Sequence, residues 1–254
     1  MNMIIASDSF KESLSAGDVC RVIGEGWTSV LPDVKIWEIP FSDGGEGLAE
    51  VITKASGGKS IRTRVTGPLG EPVDAVWGLT GAGDTAVIEM ASASGLMVIP
   101  PERRDPFITT TRGTGQLIRE VLKHNVKKVI LGIGGSGTHD AGMGMARALG
   151  VKFLDPYGRE VPEGARGLLE LARIDTSGID SRIGNTEFLI ACDVNNPLYG
   201  PRGAAYVYAL QKGAAPQDLP LLDDALRQFA AILIWICKRR RAEAQPAEWE
   251  RLCF

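Results

Sequence analysis

The chain has 254 residues, with 28 Lys and Arg against 31 Asp and Glu, 44% apolar and 6% aromatic side chains. That balance excludes a disordered or collagen-like polymer, and at roughly 100–200 residues per domain it allows one large or two ordinary domains. A formal charge of -3 supplies no global field for nucleic acid or an anionic membrane, so the expected partners are small molecules.

The chain opens on a short apolar strand, Met3-Ile4-Ile5-Ala6, then a polar loop, then a helix in which Val19, Val22, Ile23, Trp27 and Val30 recur at helical spacing. Ser15 with Asp18 three residues on predicts its N-cap, and Pro32 closes it. A second unit follows: strand 34–39, loop Ser42-Asp43-Gly44-Gly45-Glu46-Gly47, helix 48–55. Two β-loop-α units in succession predict a parallel sheet. After Gly57-Gly58 the pattern changes to strands at 61–66, 73–79 and 85–90, separated by the turns Gly67-Pro68-Leu69-Gly70 and Gly81-Ala82-Gly83-Asp84, an antiparallel meander. From Thr109 the βα habit returns, with a helix to about His124, a buried strand at 128–133, and a glycine-rich loop 134–142 leading into another helix. Residues 151–154 and 159–161, around Asp155-Pro156-Tyr157-Gly158, read as a hairpin.

Cys20, Cys192, Cys237 and Cys253 form no Cys-x-x-Cys pair and, with only His124 and His139 beside them, no zinc spacing, so reduced thiols in the cytoplasm are expected. The N-terminus has no basic n-region, and the longest apolar run, 229–237, is about half of the ~20 residues a membrane helix needs. Neither a membrane nor a nucleic acid is an expected partner.

Four polar loops each follow an apolar strand, where open α/β sheets place their ligands: Ser7-Asp8-Ser9-Phe10-Lys11, the loop 42–47, Gly134-Gly135-Ser136-Gly137-Thr138-His139-Asp140, and Cys192-Asp193-Val194-Asn195-Asn196. Glycines let backbone N–H groups approach an anion and a following helix N-terminus adds partial positive charge, so phosphate or carboxylate binding is the expected chemistry. Lys11 and Arg112, each in a polar loop ahead of a helix, are suited to neutralising a phosphoryl group. His139 reads as a capping or surface residue more than as a general base. Gly58-Lys59-Ser60 fails as a P-loop because Thr53 stands where the motif needs Gly. Gly132-Ile133-Gly134-Gly135-Ser136-Gly137 does fit G-x-G-x-x-G, with Asp155 as a ribose acid, which keeps a dinucleotide-dependent oxidoreductase open as the alternative.

Taken in order, Ala6-Ser7-Asp8-Ser9-Phe10-Lys11-Glu12-Ser13-Leu14-Ser15, the loop 42–47, Val65-Thr66-Gly67-Pro68-Leu69-Gly70, Ile88-Glu89-Met90-Ala91-Ser92-Ala93-Ser94-Gly95-Leu96, Thr110-Thr111-Arg112-Gly113-Thr114-Gly115, the run 132–142, Ala191-Cys192-Asp193-Val194-Asn195-Asn196-Pro197-Leu198 and Gln211-Lys212-Gly213-Ala214 resemble the bacterial glycerate kinase family. The departures are Ser7 where Pro is usual, and Gly137 and His139 where Ala and Asn are common. The resemblance implies ATP-dependent, Mg²⁺-assisted phosphorylation of D-glycerate, generally on the 2-hydroxyl to give 2-phosphoglycerate. It also implies two interleaved α/β domains, with the site in the cleft between them. One is flavodoxin-like, a parallel sheet with helices on both faces, expected over 1–57 and 96–150. The other is mixed or antiparallel and restriction-endonuclease-like, expected over 58–95 and 151–231. On this reading Asp8, Lys11, Asp43, Arg112 and Asp193 are the catalytic candidates. Ser9, Gly44, Gly45, Glu46, Gly113, Thr114, Gly134, Gly135 and Ser136 bind substrate or phosphate, and Asp8, Asp43 or Asp193 serves as Mg²⁺ ligand or hydroxyl base.

The resemblance is expected to stop near Ala231. Residues 232–254 hold two of the five Trp and two of the four Cys, and a one-base shift under suitable codons turns 244–254 into Gly-Ala-Ala-Gly-Gly-Met-Gly-Ala-Ala-Leu, the type of run family members carry there. The sequence alone therefore reads 232–254 as an aberrant, frameshifted tail, with a non-catalytic remnant as one possible outcome and an amphipathic C-terminal helix as the competing reading.

Overall fold

The computed structural model describes residues 1–10, 13–42 and 44–243, with side chains described as far as residue 236. In chain order the elements are β1 (Asn2–Ile5), α1 (Ala16–Val30), β2 (Lys35–Glu38), α2 (Leu48–Ala55), β3 (Lys59–Thr66), β4 (Pro72–Leu79), β5 (Thr85–Glu89), α3 (Met90–Ser94), α4 (Arg112–Val121), β6 (Lys128–Gly132), α5 (Met143–Ala148), β7 (Lys152–Leu154), α6 (Gly164–Glu170), β8 (Arg173–Asp175), β9 (Glu187–Ala191), α7 (Ala204–Tyr208) and α8 (Leu219–Glu243). The fold is mixed α/β. Ser15 caps α1 as its spacing predicts, its Oγ accepting from the Asp18 N–H at 3.2 Å. Among the described residues no helix is long and apolar enough to cross a membrane.

The first two βα units pair β1 with β2 in parallel, Met3 opposite Ile36, as a separate two-stranded sheet. The main sheet has the order β3-β4-β5-β6-β9. Its first half is the meander, antiparallel through β3, β4 and β5. At β5 the connection lengthens into a crossover through α3 and α4, which a parallel pairing requires, and β6 and β9 then add in parallel. One sheet thus takes strands from 58–95, 96–150 and 151–231, and its hydrogen bonding crosses the domain divisions expected from chain order.

The hairpin expected at 151–161 forms, and a further strand joins it. The turn closes, with the Asp155 N–H donating to Arg159 O at 2.9 Å and Val161 N–H to Phe153 O at 3.0 Å. Leu154 bridges Glu160 across that turn, and β7 pairs as well with β8. Pro162, which has no N–H to extend a ladder, follows directly and turns the chain into α6.

Two cores hold these layers. The larger lies between the main sheet and α4, around Trp77, Ile88, Leu117, Val121 and Val129. Trp77 is fully buried; its indole N–H donates to Thr63 Oγ1 at 3.0 Å and its ring meets His124 edge-on at 5.1 Å. The second gathers Met143, Phe153, Leu168, Leu226 and Phe229 from α5, β7, α6 and α8. The helix α8 continues through residue 231 without a break, and Ile232 and Ile236 from the segment read as an aberrant tail pack on this second core; residues 244–254 lie outside the described residues.

Trp77→Ala is expected to cost about 3–5 kcal/mol, the range for deleting a large core aromatic. Urea unfolding checks this, and a loss below about 1 kcal/mol would contradict the placement of Trp77 at the centre of the main core.

Candidate active site

The parallel strands β5, β6 and β9 end in register, Glu89 beside Gly132 and Gly132 beside Ala191. The loop 42–47 folds over these ends. A side-chain carbon on Gly132 would collide with the Gly44 carbonyl, and one on Gly134 would lie 2.8 Å from Gly45 Cα. Gly44, with φ of 100°, lies directly against the Ala191 backbone. The Ser7-Asp8-Ser9 loop joins from the other sheet, since Phe41 N–H donates to Ser7 O at 3.1 Å. The structure therefore brings together Gly44, Gly45, Glu46, Gly134, Gly135 and Ser136, with the exposed Asp193 just beyond Ala191, while Asp8 and Ser9 follow Ser7 on the neighbouring loop. Lys11 and Asp43 lie outside the described residues.

Arg112, Gly113 and Thr114 are elsewhere. The Arg112 guanidinium is ion-paired with Glu163, which also takes Thr110 Oγ1 at 2.5 Å and Arg147 at 2.9 Å. Burial alone would raise the Glu163 carboxyl, but Thr110, Arg112 and Arg147 outweigh it and hold it below the usual range. Gly113 packs on the Thr66 carbonyl, and the buried Thr114 hydroxyl meets Ser94 Oγ at 2.9 Å. These three residues hold α4 to its neighbours.

Helix N-termini were the expected anion sites, yet the chain's own carboxylates occupy three of them. Glu89 Oε1 accepts from the Ala49 N–H at 2.7 Å at the start of α2. Burial raises its carboxyl, the Ala49 and Gly47 amides pull the other way, and Glu46 and Glu50 raise it further. Asp140 serves two helices: it accepts from the Thr111 N–H at 2.8 Å and hydroxyl at 2.9 Å before α4, and from Gly142 N–H and Gly144 N–H, both at 3.1 Å, around the start of α5. Burial pushes the Asp140 carboxyl up, and these four donors oppose it.

The loop 134–136 is different. Its carbonyl and the amide beyond it are used, with Leu96 N–H donating to Gly135 O and Gly137 N–H to Ser94 O, both at 2.9 Å. The N–H groups of Gly134, Gly135 and Ser136 have no acceptor among the described residues. Gly135 has φ of 68°, the left-handed conformation that turns successive amides toward one point. These are three successive donors without an acceptor among the described residues, just beyond the carboxyl end of a parallel strand.

Sequence reasoning missed Glu89 and Lys212. Glu89 is the acid that closes the apolar strand Thr85–Glu89, which was a usable signal. Lys212 donates to Ser136 Oγ at 2.9 Å and to Thr138 O at 2.7 Å while only 7% exposed, and burial pushes it down to about 8 against the pull of Asp140. His139 is neither surface nor cap. It is 5% exposed, and its Nε2 has no partner among the described residues. Burial, then the Lys212 charge, push it down to about 4, with the Leu222 backbone and Asp223 opposing. Asp155, the ribose acid of the dinucleotide reading, is bound to its own turn through the Tyr157 and Arg159 amides and the Arg159 side chain.

The match to known proteins covers most of the chain. The model of the glycerate kinase family matches residues 3–246, beyond Ala231 where the resemblance was expected to stop. A glycerate kinase of Bacillus subtilis (strain 168) is 50% identical over 230 residues, 91% of this chain and 60% of that protein. A glycerate 2-kinase of Escherichia coli (strain K12) is 46% identical over 233 residues, 92% of this chain and 61% of that protein. A crystal structure of a Salmonella typhimurium LT2 protein assigned as glycerate kinase 2 superposes with a TM-score of 0.82 at 46% identity, covering 92% of this chain and 62% of that one. The chain thus spans about 60% of the length of the curated relatives it matches.

Neutral burial of His139 makes stability depend on pH. The unfolded state takes up the proton near 6.5 and the folded state only near 4, so stability falls as pH drops from 6.5 to 4 and levels off below, by roughly 3 kcal/mol in all. His139→Asn, which does not titrate, is expected to remove that slope from urea midpoints measured across the window. An unchanged slope would contradict the assignment.

Proposed function

This chain belongs to the glycerate kinase family, and on that premise we propose that it takes part in ATP-dependent phosphorylation of D-glycerate on its 2-hydroxyl, giving 2-phosphoglycerate and ADP. The observation that carries this reading is the row of N–H groups on Gly134, Gly135 and Ser136 that have no acceptor among the described residues. Phosphoryl transfer needs positioning and charge stabilisation more than covalent help from the protein, and three successive amides around a left-handed glycine are suited to a phosphoryl group.

In this proposal the glycerate 2-hydroxyl oxygen bonds to the γ-phosphorus as the bond from that phosphorus to the β-γ bridging oxygen breaks, and ADP leaves with the electron pair. The loop 134–136 holds phosphoryl oxygens while negative charge spreads over them. A carboxylate of the neighbouring loops accepts the hydroxyl proton: Asp8, Asp193 or Asp43. Asp8 Oδ1 takes the Ser9 amide at 2.6 Å, which fixes the direction of its carboxylate. Arg112 keeps the loop before α4 in place through Glu163 rather than meeting phosphate directly.

Among the described residues no group of three or more His, Cys, Asp or Glu forms a metal cage. Asp8 and Asp193 are hard oxygen donors of the kind that hold Mg²⁺ by one or two carboxylates with the phosphates completing the shell. They fit a nucleotide-borne Mg²⁺, which when bound would neutralise charge on the β- and γ-phosphates.

The test is an ATP-consumption assay with D-glycerate and Mg²⁺, with the product identified by ³¹P spectroscopy. The expected result is ADP formation that depends on D-glycerate and yields 2-phosphoglycerate. Absence of D-glycerate-dependent consumption by this folded chain would overturn the activity and leave a ligand-binding protein without turnover.

A further inference from the structure

Lys212 ends the short helical turn Leu210–Lys212, 76 residues beyond Ser136, yet its ammonium lies behind the glycine loop, 2.9 Å from Ser136 Oγ and 2.7 Å from Thr138 O. An ammonium 7% exposed carries a large desolvation cost, and its two hydrogen-bond partners are neutral dipoles. An apolar side chain would fill the same space without that cost. The Asp140 carboxylate offsets part of that cost but burial outweighs it, so packing alone does not account for a cation here.

Its effect on Ser136 does. A hydroxyl that accepts from an ammonium has its own proton left to donate, and among the described residues nothing accepts from Ser136 Oγ. The loop backbone is fixed independently by the bonds to residues 94 and 96, so the side chain of Ser136 is the part that Lys212 controls. Behind it the neutral His139 adds no competing charge.

We infer that Lys212 is a positioning residue for the anion site: by donating to Ser136, it fixes the Ser136 hydroxyl as a fourth donor beside the three loop amides that have no acceptor among the described residues, directed at a phosphoryl oxygen of the bound nucleotide. Lys212 itself, buried behind the loop, does not touch the phosphate. The inference rests on the phosphate-binding reading of this loop.

Calorimetric titration of ATP into the wild-type chain, Ser136→Ala, Lys212→Met and the double variant tests it, with circular dichroism confirming that each is folded. Each single change is expected to weaken ATP on the order of tenfold, the effect of losing one charge-assisted hydrogen bond. The double variant is expected to be no weaker than the weaker single variant, because both remove one interaction. Multiplying losses, or Lys212→Met binding like wild type, would overturn the inference while leaving the phosphate site standing. A wild-type chain that does not bind ATP would overturn both. Should Lys212→Met fail to fold, Ser136→Thr against Ser136→Ala decides: Thr keeping its affinity while Ala loses it supports the oriented hydroxyl, and equal losses overturn it.

Discussion

Four donors converge on one buried carboxylate. Asp140 accepts from the backbone and hydroxyl of Thr111 and from the amides of Gly142 and Gly144, so a single side chain ties the glycine loop to the starts of two helices. A buried amide without a partner costs free energy comparable to a lost hydrogen bond. Strand-to-helix junctions concentrate such amides, and an α/β fold must supply acceptors for them. Asp140 does this for α4 and α5, and Glu89 does it for α2. Ser15 does it for α1 with a hydroxyl.

That internal capping defines the site by exclusion. Where the chain provides its own carboxylate, a helix N-terminus is no longer available to a ligand. At Gly134, Gly135 and Ser136 no acceptor stands among the described residues, and there the amides are open to an anion. Close approach makes the place accessible to no bulky side chain: Gly132 and Gly134 touch the 42–47 loop so tightly that a Cβ on either would collide. Charge is arranged around the loop rather than in it, with Lys212 behind Ser136 and the Arg112–Glu163–Arg147 group one layer away.

Much of the local structure was legible in the sequence because it depends on near neighbours. The spacing of Val19, Val22, Ile23 and Trp27, the Ser15 cap and the Gly67-Pro68-Leu69-Gly70 turn each specify their element within a few residues. Partner choice was less legible. Nothing local to residues 152–154 says that they pair with 173–175 as well as with 159–161, and nothing in the meander says that β5 will accept β6 on its other edge. The site divides in the same way. Glycine loops after apolar strands marked 42–47 and 134–136 correctly as neighbours of a strand end. Arg112 was read as a free cation because its partner, Glu163, is 51 residues away. His139 was read as exposed because the burial comes from α8, far along the chain, and Lys212 carried no local sign of its contact with Ser136.

The amides of Gly134, Gly135 and Ser136, without an acceptor among the described residues, are the anion site in this reading of the fold. Amide chemical shifts followed by NMR while inorganic phosphate or ATP is added address it directly. The Gly134, Gly135 and Ser136 amides are expected to move together and farthest, while the Ala49, Thr111 and Gly144 amides, already bound to Glu89 and Asp140, stay in place. Shifts confined to other loops, or largest at those capped amides, would contradict it.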